Sequence, residues 1–122
     1  MVLIVAGTLL ASCASRKDEG AALVRRIGVS RLAAEAASLK SHRGTPQSEF
    51  LQEPAWPPAI RELQPQIVKV DAQGVFVQRW KDYVEEEGIF LKFSGIILDT
   101  SPGRDPSFTL IAPDTYWYTT KG

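Results

Sequence analysis

Ile67-Val68-Lys69-Val70-Asp71-Ala72-Gln73-Gly74-Val75-Phe76-Val77-Gln78-Arg79-Trp80 decides the fold class of this 122-residue chain. Two β-branched and aromatic runs flank a short turn that contains glycine, the local signature of a β-hairpin. Upstream of Pro65 the apolar residues recur at helical spacing, and here the period drops to 2. The chain therefore changes from helix to sheet near that proline.

Downstream, Gly88 to Ser94 reads as a third strand with Ile89, Leu91 and Phe93 on one face. Gly95 to Leu98 either extends it or forms a separate strand. Lys81 to Glu87 carries four carboxylates and reads as a solvated connection, because packing like charges is costly. Thr100 to Pro106 is a turn-rich loop. Phe108 to Ile111 and Thr115 to Thr119 make a last hairpin around Ala112-Pro113-Asp114.

Upstream, Asp18 to Ser41 reads as one long helix, rich in Ala, Leu, Arg and Glu and free of proline. Leu23, Val24, Ile27, Leu32, Ala36 and Leu39 approximate one face, and Gly28 marks a point where the helix bends or breaks. Asp18 and Glu19 suit its start and Lys40, His42 and Arg43 its end, with Gly44 as a stop signal. Thr45 to Pro58 has the composition of a linker, although Phe50, Leu51 and Trp56 need something to pack on. Pro57 to Leu63 fits a short helix opened by proline. The expected fold is α+β in two layers: an N-terminal signal segment, one long helix, a short helix, then an antiparallel sheet of four to six strands. The expected divisions are 1–12 signal, 13–43 anchor site and basic helix, 44–58 linker and 59–122 β domain, with 13–122 one folded unit.

The net charge is zero, but it is unevenly spread. Arg16 to Arg43 holds seven basic and three acidic residues, and 44–122 holds seven basic and eleven acidic ones. The hydrophobic fraction of 44% belongs to a globular rather than a disordered chain. Val2 to Leu10 is almost wholly apolar, yet a membrane-spanning helix needs about 20 such residues. The run has the length of a signal-peptide core, and small residues follow it.

The segment Leu10-Ala11-Ser12-Cys13 resembles the lipobox of bacterial lipoproteins. The resemblance covers the first thirteen residues and implies cleavage before Cys13, a lipid bearing fatty acids such as palmitate attached through its sulfur, and export to a membrane surface. Ala14 is not the Asp that retains many lipoproteins in the inner membrane, so the resemblance implies an outer-membrane anchor facing the periplasm where the host has two membranes. The first Lys or Arg is Arg16, so the basic start usual in such signals is missing. The alternatives are another N-terminal anchor, or a buried strand or helix with Cys13 as a small core residue. With Cys13 lipidated, the mature 110 residues hold no thiol for a disulfide, a catalyst or a metal. The basic segment behind the anchor suits anionic headgroups, at roughly 1 kcal/mol per cation, and suits a solvated helix face equally well. A looser likeness, in Trp56-Pro57-Pro58-Ala59-Ile60-Arg61-Glu62-Leu63 with Pro65, Val68 and Gly74-Val75, is to small uncharacterised bacterial proteins and implies no activity.

The chemistry is sparse. His42 is the sole histidine and sits at a helix end, which suits helix-terminal charge better than a catalytic triad. Zinc-type sites lack a second histidine or a free thiol, and Asp82, Glu85, Glu86 and Glu87 lack calcium-loop spacing. No Gly-rich phosphate loop occurs, and no basic surface is interleaved with aromatics for nucleic acid. No cofactor is expected. Tyr116-Trp117-Tyr118 is the candidate binding surface: alternation puts the two tyrosines on one face and Trp117 on the other, and either face can instead be core. Three readings follow. The first is a non-enzymatic envelope lipoprotein whose sheet binds a protein or wall component. The second is a small exported enzyme or metal module in which Asp82, Glu85 or Asp99 converge. The third is an inhibitor or immunity-type envelope protein with an exposed aromatic patch.

Overall fold

A computed structural model of the protein describes residues 15–43 and 48–121, the side chains of 41–43 excepted. Leu10-Ala11-Ser12-Cys13, Gly44 and the imidazole of His42 thus lie outside the described residues. The fold is α+β: among the described residues, three helices lie on an antiparallel sheet of six strands.

The expected single helix is two. Helix α1 (Arg16–Ile27) is capped by Ser15, whose hydroxyl accepts the Asp18 N–H at 3.1 Å, with Asp18 and Glu19 in its positive first turn. Gly28 ends it at φ 113°, a conformation closed to most L-residues, and α2 (Val29–Arg43) follows as a separate helix. Helix α3 (Pro58–Glu62) places Pro58 in the first turn, where no N–H is needed. Its Ala59 and Ile60 N–H groups, otherwise orphaned, both donate at 2.9 Å to the Glu35 carboxylate of α2. One carboxylate thus joins two helices and supplies the negative charge that a helix start favours.

The stretch expected to be a linker contributes structure. Glu49–Leu51 forms β1, and Glu53–Ala55 a 3-10 turn locked by the Trp56 indole N–H, which donates to the Leu51 carbonyl at 3.0 Å. The remaining strands are β2 (Ile67–Val70), β3 (Gly74–Asp82), β4 (Glu85–Lys92), β5 (Ser107–Ala112) and β6 (Thr115–Thr120), in the spatial order β1-β2-β3-β4-β6-β5. The β2–β3 hairpin is as the sequence predicts: Asp71 Oδ1 accepts the Gln73 and Gly74 N–H groups in an Asx turn. The β5–β6 hairpin follows the same expectation around Pro113-Asp114. Two other expectations are corrected. Lys81 to Glu85 is solvent-exposed as expected, but the stretch is the paired ends of β3 and β4 turning at Tyr83 and Val84 rather than a loop, and Glu86 and Glu87 are half-buried. Gly95 to Leu98 forms no strand and belongs to the loop between β4 and β5.

Alternation divides the sheet into two faces. One carries Val68, Val70, Val75, Val77, Ile89, Leu91 and Trp117 against Val24, Ile27, Leu32, Ala36, Leu39, Ile60 and Leu63 of the helices. Each fully buried aliphatic side chain contributes roughly 1.5–3 kcal/mol, which is what holds the layers together. Helix α1 lies so close that a Cβ on Gly20 would stand 2.7 Å from the Trp117 ring, so only glycine fits there. The other face carries a second cluster of Phe76, Phe90 and Tyr118, with Phe108, Tyr116 and Leu98 packed against it.

Candidate functional site

The outer face is built by register. Phe50, Lys69, Phe76, Phe90, Tyr116 and Leu110 are successive cross-strand partners, one from each strand, so a single row crosses the whole sheet. Beside it runs a second row of Ile67, Gln78, Gly88, Tyr118 and Phe108. The rings lock together: Phe76 lies 4.5 Å from Phe90 and meets Tyr118 edge-on at 4.9 Å, and Phe108 lies 5.0 Å from Phe90. Tilted and edge-on contacts of this kind add about 0.5–1.5 kcal/mol each beyond burial. Gly88 makes room for them. A Cβ there would stand 2.1 Å from the Val77 carbonyl oxygen and 3.0 Å from the Tyr118 ring.

The centre of this face is closed and both of its edges are open. Leu98, from the β4–β5 loop, packs on the aromatic cluster, while Leu110 on the edge strand β5 is 62% exposed. Over β1 and β2, Phe50 is 62% exposed and Ile67 38%. Between them and the cluster lies a shallow cavity of about 180 Å³, floored by Phe76 and Tyr118 and rimmed by Lys69, Lys81 and Glu86. The Lys69 ammonium sits 4.7 Å from the centre of the Phe76 ring, a cation–π contact. Inside the cavity wall, Glu86 Oε2 accepts from the Tyr118 hydroxyl at 2.9 Å and from Gln78 Nε2 at 3.2 Å. Burial pushes the Tyr118 phenol well above the ordinary tyrosine range, and the neighbouring Glu86 charge and hydrogen bond push the same way. The phenol is therefore a fixed neutral donor. The site offers an apolar floor, two cationic rim groups and one carboxylate, a combination suited to holding a ligand with both apolar and polar parts.

The structure separates the three residues of the aromatic motif as alternation predicts. Trp117 faces the helices, 5% exposed, its indole N–H donating to Glu87 Oε1 at 3.2 Å. Tyr118 is fully buried on the outer face, and Tyr116 is half-buried beside it. Trp80 does not join Phe76: a register shift between Gln78 and Trp80 turns it away, and the Arg16 guanidinium covers its ring at 3.9 Å. Phe50, Ile67, Gln78 and Glu86 were not singled out by sequence as site residues. The period-2 signal of 85–92 was the one available pointer to Glu86, and its neighbouring carboxylates masked it.

The acidic residues of the enzyme reading do not converge. Asp82 and Glu85 pair across the end of the β3–β4 hairpin. Asp99 lies in the β4–β5 loop, where the Ser101 N–H and hydroxyl and the Arg104 guanidinium hold its carboxyl below the usual range. A second groove, of about 380 Å³ between α2 and the end of β4, has its cations already engaged. Lys92 pairs with Asp114 at 3.2 Å and donates to the Ile96 carbonyl at 2.8 Å, and Lys40 lies over Phe93. Among the described residues no group of three or more His, Cys, Asp or Glu side chains is placed to hold a metal, and no helix is long and apolar enough to cross a membrane. No protein-family model, curated protein or solved structure matches the chain.

Proposed function

We propose that this protein is a lipid-anchored module of the bacterial cell envelope that binds a protein or wall component without catalysing a reaction. The observation that carries the binding part is the β1–β2 end of the outer face: Phe50 and Ile67 stay exposed beside a cavity floored by buried rings and rimmed by Lys69, Lys81 and Glu86. Exposed aromatic and aliphatic anchors around a desolvated floor are the usual core of a recognition surface. The anchoring part rests on Leu10-Ala11-Ser12-Cys13, with Cys13 as the lipid attachment site. The bound partner then meets a domain held close to the membrane.

Two experiments test the reading. Labelled fatty acid fed to the native host is expected to mark the wild type and not Cys13→Ala; an unlabelled, unprocessed wild type refutes the anchor. Co-sedimentation of the protein with isolated cell-wall sacculi, and its pairing with envelope proteins by cross-linking, are expected to fall in a Phe50→Ser, Ile67→Ser double variant of unchanged melting temperature. Equal association of wild type and double variant refutes the outer face as the binding surface.

A further inference from the structure

The β3–β4 hairpin ends in two exposed residues for which the fold has no use. Tyr83 is 92% and Val84 63% exposed, and Tyr83 holds φ 47°, so the turn itself directs them outward. Helix α1 begins beside the tip end of this hairpin. Arg16 Nη1 donates to Glu87 Oε2 at 3.0 Å and its guanidinium lies 3.9 Å over the Trp80 ring, and Trp80 and Glu87 are cross-strand partners. The described chain therefore starts beside the tip end of the hairpin.

The lengths agree. From Cys13 to Arg16 the chain spans at most about 11 Å when extended. From Trp80 to Tyr83 the hairpin projects about 10 Å, at roughly 3.3 Å per residue. Three residues of chain are thus long enough for a lipid on Cys13 to lie level with the hairpin tip. We propose that Tyr83 and Val84 dip into the lipid headgroup region as a second membrane contact beside the anchor, an inference that rests on the lipidation of Cys13. Tyrosine favours the membrane–water interface, and a single acyl signal is strengthened by a second contact. The occupant is a bilayer surface of neutral headgroups. The tip and the start of α1 carry Arg16, Lys17 and Lys81 against Asp18, Glu19, Asp82, Glu85, Glu86 and Glu87, with Arg16 paired to Glu87, so this end is net acidic and does not attract anionic lipid. The contact is apolar rather than electrostatic.

The test uses the full chain, made in a lipoprotein-processing bacterium fed labelled palmitate and reconstituted in phosphatidylethanolamine–phosphatidylcholine vesicles. A lipidated Cys13 has no free thiol, so a Val84→Cys variant takes an environment-sensitive maleimide dye at one place, and Ile97→Cys serves as control. Ile97 is 94% exposed in the loop that follows the opposite end of β4. The Val84 probe is expected to shift to the blue and to be quenched by headgroup-level nitroxide lipid at least about threefold more than the Ile97 probe, as interfacial insertion requires. Replacing half of the neutral lipid by phosphatidylglycerol is expected to reduce that quenching. Palmitate on the protein with both probes in a water-like environment overturns the tip contact alone. No palmitate on the wild type overturns the anchor and the tip contact with it.

Discussion

Removing one oxygen atom, in Tyr118→Phe, tests the buried side of the outer-face site. At neutral pH the variant loses the 2.9 Å hydrogen bond to Glu86 Oε2, while Gln78 Nε2 still donates to the same atom. Glu86 is half-exposed and regains water, so the cost is about 1 kcal/mol, the range of a single net hydrogen bond. In alkali the sign reverses. The unfolded chain releases this phenol proton near pH 10, whereas the native chain holds it to higher pH because burial and Glu86 disfavour the phenolate. The stabilisation is complete below that pH and drains away above it, by about 1.4 kcal/mol per pH unit, until the native phenol also ionises. Tyr118→Phe has no such proton to lose, so wild type and variant are expected to cross in stability near about pH 11. Urea unfolding followed by tryptophan fluorescence from pH 7 to pH 11.5 reads both effects. A difference that stays constant across that range refutes the burial and Glu86 contact assigned to Tyr118.

Three further outcomes follow from the packing. Glu35→Ala strips α3 of the acceptor for two N–H groups and is expected to cost about 2 kcal/mol, lowering the melting temperature by roughly 10 °C; an unchanged melting temperature contradicts the clamp. Gly88→Ala forces a Cβ to within 2.1 Å of the Val77 carbonyl oxygen, so the strands must part, at about 1–3 kcal/mol or more. An unaltered denaturation curve for Gly88→Ala would contradict the β3–β4 register. Trp117→Ala leaves a void between α1 and the sheet and is expected to cost about 3–5 kcal/mol, enough to unfold much of the population; full stability of that variant contradicts the core position of Trp117.

Local pattern carried the sheet further than it carried the site. The Asp71–Gly74 turn and the alternation in 67–78, 89–93 and 115–119 made the hairpins legible, because those signals are set by neighbouring residues. The acidic run 85–87 was misread for the opposite reason. Alternation sends Glu86 to the outer face, where Gln78 and Tyr118 donate to it, and Glu87 to the helix face, where Arg16 and Trp117 do. Partners 30 and 71 residues away remove the repulsion that a local reading assigns to such a run. Strand β1 was hidden in proline-rich sequence, since three residues give too short a period and its pairing with β2 is a tertiary matter. The face of Trp80 depended on one extra residue in β3, and a slip of one residue reverses every side chain beyond it. The break at Gly28 was visible as a weak point; that it separates two helices depends on its backbone adopting φ 113°.

As proposed, the β1–β2 end of the outer face meets a partner at the membrane. The most direct measurement of that contact is site-specific photocrosslinking in the native host, with a benzoyl-phenylalanine replacing Phe50 in one strain and Ile97 in another. The expected result is a discrete adduct from position 50, lost when Ile67→Asp is added, and none from position 97. Equal adducts from both positions, or none from position 50 in a folded, membrane-bound protein, would contradict it.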